Sequence, residues 1–226
     1  MGNVGLLYVG AILFLNGCML LGWVEARSAA PLNLFVGALQ VITPTYLIFT
    51  ADGDENTILA ASGLYLFGFT YLYVGINLLA GLDGTGLGFF SLFVAVCAVV
   101  FAGLNFGRYD DNAFGVIWLQ WALLWTLFFL VLGLKMESLT RFTGAVAALQ
   151  GIVTAAIPAL LLLTGNWADN IDTIAVSLAV FAVVVYGGLF AYLRANTPPP
   201  ARRAETAYPV SEQATSSGST RASNPS

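Results

Sequence analysis

Runs of about twenty apolar residues alternate with short polar breaks along most of this chain. A helix of that length crosses the hydrocarbon core of a bilayer, and only helices or closed barrels satisfy their backbone there. The pattern predicts seven spanning helices, over about 4–24, 32–51, 57–80, 87–106, 113–134, 142–164 and 171–193. The breaks are polar and mostly acidic, such as Asp52-Gly53-Asp54-Glu55-Asn56 and Arg108-Tyr109-Asp110-Asp111-Asn112. Pro44 and Pro158 fall inside predicted helices. Beyond residue 193 the chain turns to Pro, Ser, Thr and Ala with scattered charge, which cannot bury a core. The expected fold is an all-α polytopic membrane protein, with one domain over 1–193 and a disordered cytoplasmic tail over 194–226.

Composition agrees: 58% of residues are hydrophobic and 9% charged. The formal net charge of −4 sits in loops and tail, and no basic groove suggests nucleic acid. No Lys or Arg precedes the first run, so it reads as a retained helix and not as a signal peptide. Seven helices put Arg27, Lys135, Arg141, Arg194, Arg202, Arg203 and Arg221 on one side and Arg108 alone on the other. The excess of basic residues marks the cytoplasmic side, so the N-terminus is expected outside. Loops this short leave no room for a soluble domain, so the function is expected within the bilayer.

Apart from Asp172, at the very start of the seventh run, the runs contain no Asp, Glu, Lys, Arg or His, and the chain has no histidine. That argues against catalysis, a metal site and a proton relay, and no cofactor is expected. A retinal protein needs a lysine in its last helix, but the single lysine, Lys135, lies in a loop. Cys18 and Cys97 read as small apolar packing residues. The polar groups within the runs are neutral, among them Asn16, Gln40, Asn77, Gln120, Gln150 and Thr154. They bond helix to helix, or they line a narrow conduit for a small uncharged solute.

The fifth run holds three of the five tryptophans. At about 100° per residue, Trp118, Trp121 and Trp125 form one stripe near the middle of the membrane. Membrane tryptophans usually sit at the interfaces. Either these rings are packed core, with each N–H bonded to a neighbouring helix, or they line a polar path; geometry by itself favours the first. An internal echo is also visible. Leu7-Tyr8-Val9-Gly10 returns as Leu72-Tyr73-Val74-Gly75, and Leu34 to Gln40 resembles Leu92 to Ala95 and Ala145 to Gln150. The echo suggests three two-helix hairpins, 1–2, 3–4 and 5–6, plus an appended helix. Small residues form close-packing faces: Ala147, Gly151, Ala155 and Ala159 on helix 6, and Ala61, Gly68 and Gly75 on helix 3.

Several segments in order resemble the AmiS/UreI family of urea and amide channels. They are Leu6-Leu7-Tyr8-Val9-Gly10 with Asn16-Gly17, Asn33-Leu34-Phe35-Val36-Gly37, Leu66 to Tyr73 with Ile76-Asn77, Ser91 to Ala95, Ile117-Trp118-Leu119 with Trp121 and Trp125, and Gly151 to Ala155 with Ile157-Pro158-Ala159. The resemblance covers roughly residues 4 to 165. It implies a passive channel for urea or short-chain amides in a bacterial inner membrane. It also implies a homo-oligomer, a hexameric ring with one pore per protomer, and allows a functional link to a cytoplasmic amidase or urease. At matching positions the expected pore-lining residues are Leu6, Val9, Leu13, Asn16, Phe69, Tyr73, Trp121, Leu124 and Trp125, with Trp118 structural. Gln150 stands where acid-gated relatives carry a glutamate, and is expected to orient an amide. With no histidine and short loops, permeation is expected to change little between pH 5 and 7.5. The remaining alternatives are a proton-coupled amide carrier, and a docking or sensing role for the tail.

Overall fold

Seven long apolar helices form because the chain gives the bilayer no other way to satisfy the backbone. The structure, a computed structural model, describes residues 2–196. Most of the expected disordered tail, residues 197–226, lies outside the described residues. The spanning helices are α1 (Gly2–Leu20), α2 (Ala26–Phe49), α3 (Glu55–Ala80), α4 (Thr85–Gly107), α5 (Asn112–Gly133), α6 (Glu137–Leu163) and α7 (Ile171–Asn196). No strand occurs among the described residues. α2 starts well before the expected residue 32. Its first turns take in Arg27 and Ser28, which the hydropathy pattern assigns to a loop. α7 runs on through Arg194 to Asn196.

The first six helices close into a ring. Each touches its neighbours in the chain, and the closest packing joins α2 to α3, α4 to α5, and α6 back to α1. The hairpins expected from the echo are thus knitted together by the tighter contacts between one hairpin and the next. α7 stands outside the ring, against α5. One face of the bundle carries the N-terminus and the turns at 50–54, 108–111 and 164–170. The opposite face carries the turns at 21–25, 81–84 and 134–136.

Small residues set the approach of the helices. A Cβ added to Gly10 would stand 2.7 Å from the Gly151 carbonyl oxygen, so the α1 and α6 backbones touch there. This is the small-residue face read on helix 6. The close approach recurs around the ring. Gly17 meets Gly144, Gly75 meets Ala30 and Leu34, and Gly133 meets Gly88. Residues 17, 75 and 133 are spaced by 58, which is also the interval from Val36 to Val94. The interval of 58 holds from α1 to α3 to α5 and from α2 to α4, while the matching contact glycines Gly88 on α4 and Gly144 on α6 are 56 apart, so the six helices form a threefold repeat of nearly constant period. The Leu-Tyr-Val-Gly echo between α1 and α3 has a different spacing, 65, and is displaced from the structural register by two helical turns. Large apolar side chains point outward instead, among them Phe35 (71% exposed) and Phe49 (83% exposed).

Three widened π turns interrupt the later helices, at Phe129–Gly133, Gly151–Ala156 and Ala182–Tyr186. Pro158 has no N–H to give the preceding turn, which is one reason α6 loosens there. Asp54 and Asp111 cap α3 and α5 by accepting backbone N–H groups of Thr57 and Phe114, both at 2.9 Å.

Candidate functional site

Apolar spans with buried amides must place those amides against each other or around a space. Both happen here. Asn16 and Asn33 bond reciprocally, Nδ2 to Oδ1, at 2.9 and 2.8 Å, tying α1 to α2. Other polar groups face two cavities inside the ring. The first, about 440 Å³, opens toward the N-terminal face. Its lining includes Leu6, Val9, Gln40, Phe67, Trp118 and Trp121, with Asn105, Tyr109 and Asp111 toward its mouth. The second, about 250 Å³, lies toward the opposite face. It is lined by Leu13, Asn16, Thr70, Tyr71, Asn77, Ser91 and Phe128, among others.

An aromatic partition stands between them. The Phe67 ring meets Trp121 and Trp125 edge-on at centroid distances of 4.8 and 5.0 Å, and Trp118 at 5.7 Å. Phe101 stacks on Trp118 from behind at 4.7 Å. Both partition indoles are tied down. Trp121 Nε1 donates to Thr154 Oγ1 at 3.0 Å, and Trp125 Nε1 donates to Thr70 Oγ1 at 3.3 Å. For Trp121 and Trp125 the two readings of the tryptophan stripe meet: each of these N–H groups is bonded to a neighbouring helix, and both rings stand at the divide between the cavities. Val9, Phe67 and Trp125 share the period of 58, so each repeat contributes one side chain near the partition.

Four buried polar atoms on side chains that line the cavities have no hydrogen-bond partner among the described residues. They are Gln40 Oε1 in the first cavity, and the Tyr71 hydroxyl and both amide atoms of Asn77 in the second. A buried polar atom without a partner is costly. These side chains carry both donors and acceptors, and among the described residues no charged side chain lines the space between Gln40 and Asn77.

The residues expected along the passage divide into groups. Leu6, Val9 and Trp121 line the first cavity, and Leu13 and Asn16 the second. Trp125 is fully buried in the partition, and Leu124, also fully buried, lines neither cavity. Phe69 and Tyr73 must be corrected. Phe69 is 50% exposed on the outer surface, stacked on Tyr65 at 5.7 Å. Tyr73 points its hydroxyl at Gly86 on α4. Phe67 and Tyr71, two residues earlier in each case, face inward instead. The signal that finds them is the repeat in its structural register, which sets Phe67 against Val9 and Tyr71 against Leu13. Gln150 is corrected too. Its Nε2 donates to the Gln120 carbonyl at 2.9 Å, within a buried contact behind α5 and away from both cavities.

A closed ring of spanning helices around a neutral, aromatic-partitioned passage defines a multi-pass membrane protein built for small-solute transport. The chain belongs to the AmiS/UreI family of transporters, whose family model matches residues 1–166. It is 63% identical over 167 residues to a putative transporter protein AmiS2 of Rhodococcus erythropolis, covering 74% of this chain and 81% of that one. It is 50% identical over 211 residues to a putative amidate substrates transporter protein of Mycolicibacterium smegmatis, covering 91% and 99%. It is 38% identical over 191 residues to the acid-activated urea channel of Helicobacter pylori strain J99, covering 72% and 97%. The crystal structure of the H. pylori urea channel superposes with a TM-score of 0.67 at 36% identity, covering 74% of this chain and all of that one. Its closed-state cryo-EM structure gives 0.68 at 34% identity. The family and these relatives are transporters and channels, not enzymes.

Proposed function

We propose that the protein is a passive channel for small uncharged amides, urea and short-chain amides such as acetamide, and that it is not acid-gated. The observation that carries the reading is the pair of cavities within one ring, divided by side chains alone and lined without charge from Gln40 to Asn77, with Asp111 only at the outer mouth. An amide entering the first cavity meets Gln40. It passes the edge-on rings of Phe67, Trp121 and Trp125 as those side chains move apart, and is received by Tyr71 and Asn77. A planar amide needs only a narrow opening between the rings and exchanges its hydrogen bonds with water for bonds to these walls. A hydrated ion would lose its shell with nothing in return. Leu6, Val9, Leu13, Asn16 and Trp125 complete the path. The names of the relatives, one a transporter of amidate substrates and one a urea channel, support the substrate class. Apart from Asp172 in the first turn of α7, outside the ring, no span offers an acidic or basic side chain within its apolar run for proton coupling, which favours a channel over a proton-coupled carrier. In this reading the protein is a hexamer in a bacterial inner membrane, with its N-terminus outside and its tail beside a cytoplasmic amidase or urease.

The test is solute entry into proteoliposomes, followed by light scattering, with urea and acetamide at pH 5 and 7.5. Fast, non-saturating entry at both pH values, altered by Trp121→Ala/Trp125→Ala, is expected. Folded protein with no flux above empty liposomes would sink the channel, and accumulation against a gradient would replace it with a carrier.

A further inference from the structure

The family model ends at residue 166, and the whole H. pylori urea channel is matched by 74% of this chain. α7 lies beyond that shared part. The alignment with the Mycolicibacterium relative spans 91% of this chain, which is enough to include α7.

α7 is fastened to the ring by buried polar groups. The Tyr186 hydroxyl donates to Gln120 Oε1 at 2.8 Å, and Gln120 Nε2 donates to the Leu178 carbonyl at 3.2 Å. The Gln120 amide is thus held from α7 at both its atoms. Gln150 Nε2 on α6 donates to the Gln120 backbone carbonyl at 2.9 Å. The carbonyl of Gln150 accepts from the Thr154 hydroxyl at 2.7 Å, and Thr154 Oγ1 accepts from Trp121 Nε1 at 3.0 Å. These bonds form one connected path from α7 to the partition. Tyr186, Gln120, Gln150, Thr154 and Trp121 are all at least 95% buried. Two of them, Thr154 and Tyr186, sit in π turns, which turn a side chain off the regular helical stripe. Without α7, the Gln120 amide would be left facing lipid, where it finds no partner.

We propose that α7 is a latch that sets the pose of Trp121, and with it the selectivity of the passage. Gln120, Gln150, Thr154 and Tyr186 are positioning residues: they act through the indole and do not touch the solute. The proposal rests on the reading that Trp121 stands in the permeation path.

Tyr186→Phe keeps the ring and removes the bond to Gln120. The measurement is the acetamide-to-urea permeability ratio in proteoliposomes, with thermal unfolding in detergent alongside. Loss of one buried hydrogen bond predicts a roughly two- to tenfold change in the ratio. Thr154→Val is expected to move the ratio in the same direction. The double variant should move it no further than the larger single change, because both break one path. Val183→Ala, on the outward face of α7 at 76% exposure, should leave the ratio alone. A Tyr186→Phe protein with lowered thermal stability and a wild-type ratio would make α7 a structural brace and overturn the proposal, as would additive effects in the double variant. Should Tyr186→Phe fail to assemble, Gln120→Met breaks the same grip from α5, and a wild-type ratio there is equally fatal. Wild-type protein without any amide flux would sink the channel reading itself. Wild-type flux with a ratio indifferent to Tyr186 and Gln120 sinks only the latch.

Discussion

Two phenylalanines two positions apart on α3 have opposite surroundings. Phe67 is 2% exposed and touches three tryptophan rings, whereas Phe69 is 50% exposed on the outer surface. Two positions on a helix are about 200° apart, so one residue of this pair faces inward and the other outward. Phe67→Leu should change urea and acetamide permeability in the proteoliposome assay, because it thins the partition, while Phe69→Leu should leave both at wild-type values. Asn77→Leu should slow amide entry with little effect on folding. It removes two polar atoms that have no hydrogen-bond partner among the described residues, and a buried polar group replaced by an apolar one of similar shape costs little. The family resemblance points to Phe69 and Tyr73, but the stretch Phe67 to Tyr73 holds four aromatics at alternate positions, and neither motif nor hydropathy says which of them face inward.

At the scale of the helix, the fold depends on contacts too close for a side chain. A Cβ on Gly17 would overlap the Ala148 backbone nitrogen, whereas a Cβ on Gly103 meets nothing within 4 Å. Gly17→Ala should therefore destabilise the protein by about 1–3 kcal/mol, the usual cost of overpacking. Gly103→Ala should be neutral or slightly stabilising, since Ala is the better helix former. Thermal unfolding in detergent separates the two. The spans themselves were plain in the sequence, because twenty apolar residues in a row admit few other readings. The register between them was not. The Leu-Tyr-Val-Gly echo matched letters, but backbone contact fixes the repeat at Gly17, Gly75 and Gly133. Gln150 was drawn onto the passage by position within a motif. Its actual partner is the Gln120 carbonyl, 30 residues away on a helix whose rotation the sequence does not specify.

At the scale of the whole molecule, the charged groups of the described residues sit in the connecting turns, the caps and the end turns of the helices. Lys135 donates to Asp83 at 2.7 Å between two turns on the same face. That bond, with a second from Thr85, holds the Asp83 carboxyl well below the usual carboxylate range. Bonds from Thr57 lower Asp54 in the same way. A depressed folded-state pKa contributes stability above the unfolded value of 3.8, and that contribution is lost only as pH falls below it. Both carboxylates therefore stay ionised from pH 5 to 7.5. The unfolding temperature should be flat across that window and fall below about pH 4, as a pH series in detergent would show. A steep rise in amide permeability between pH 7.5 and 5 would contradict the ungated reading.

The threefold repeat has a mechanical consequence. Because α1, α3 and α5 all run in the same direction, the three units are related by rotation about the axis of the passage and not by an up-down inversion. Transporters that alternate their access commonly rock one half against the other about a central site. Three like units arranged around an axis have no plane that divides them into two matching halves. The ring is better suited to stay a rigid sleeve, in which only side chains at its waist need to move.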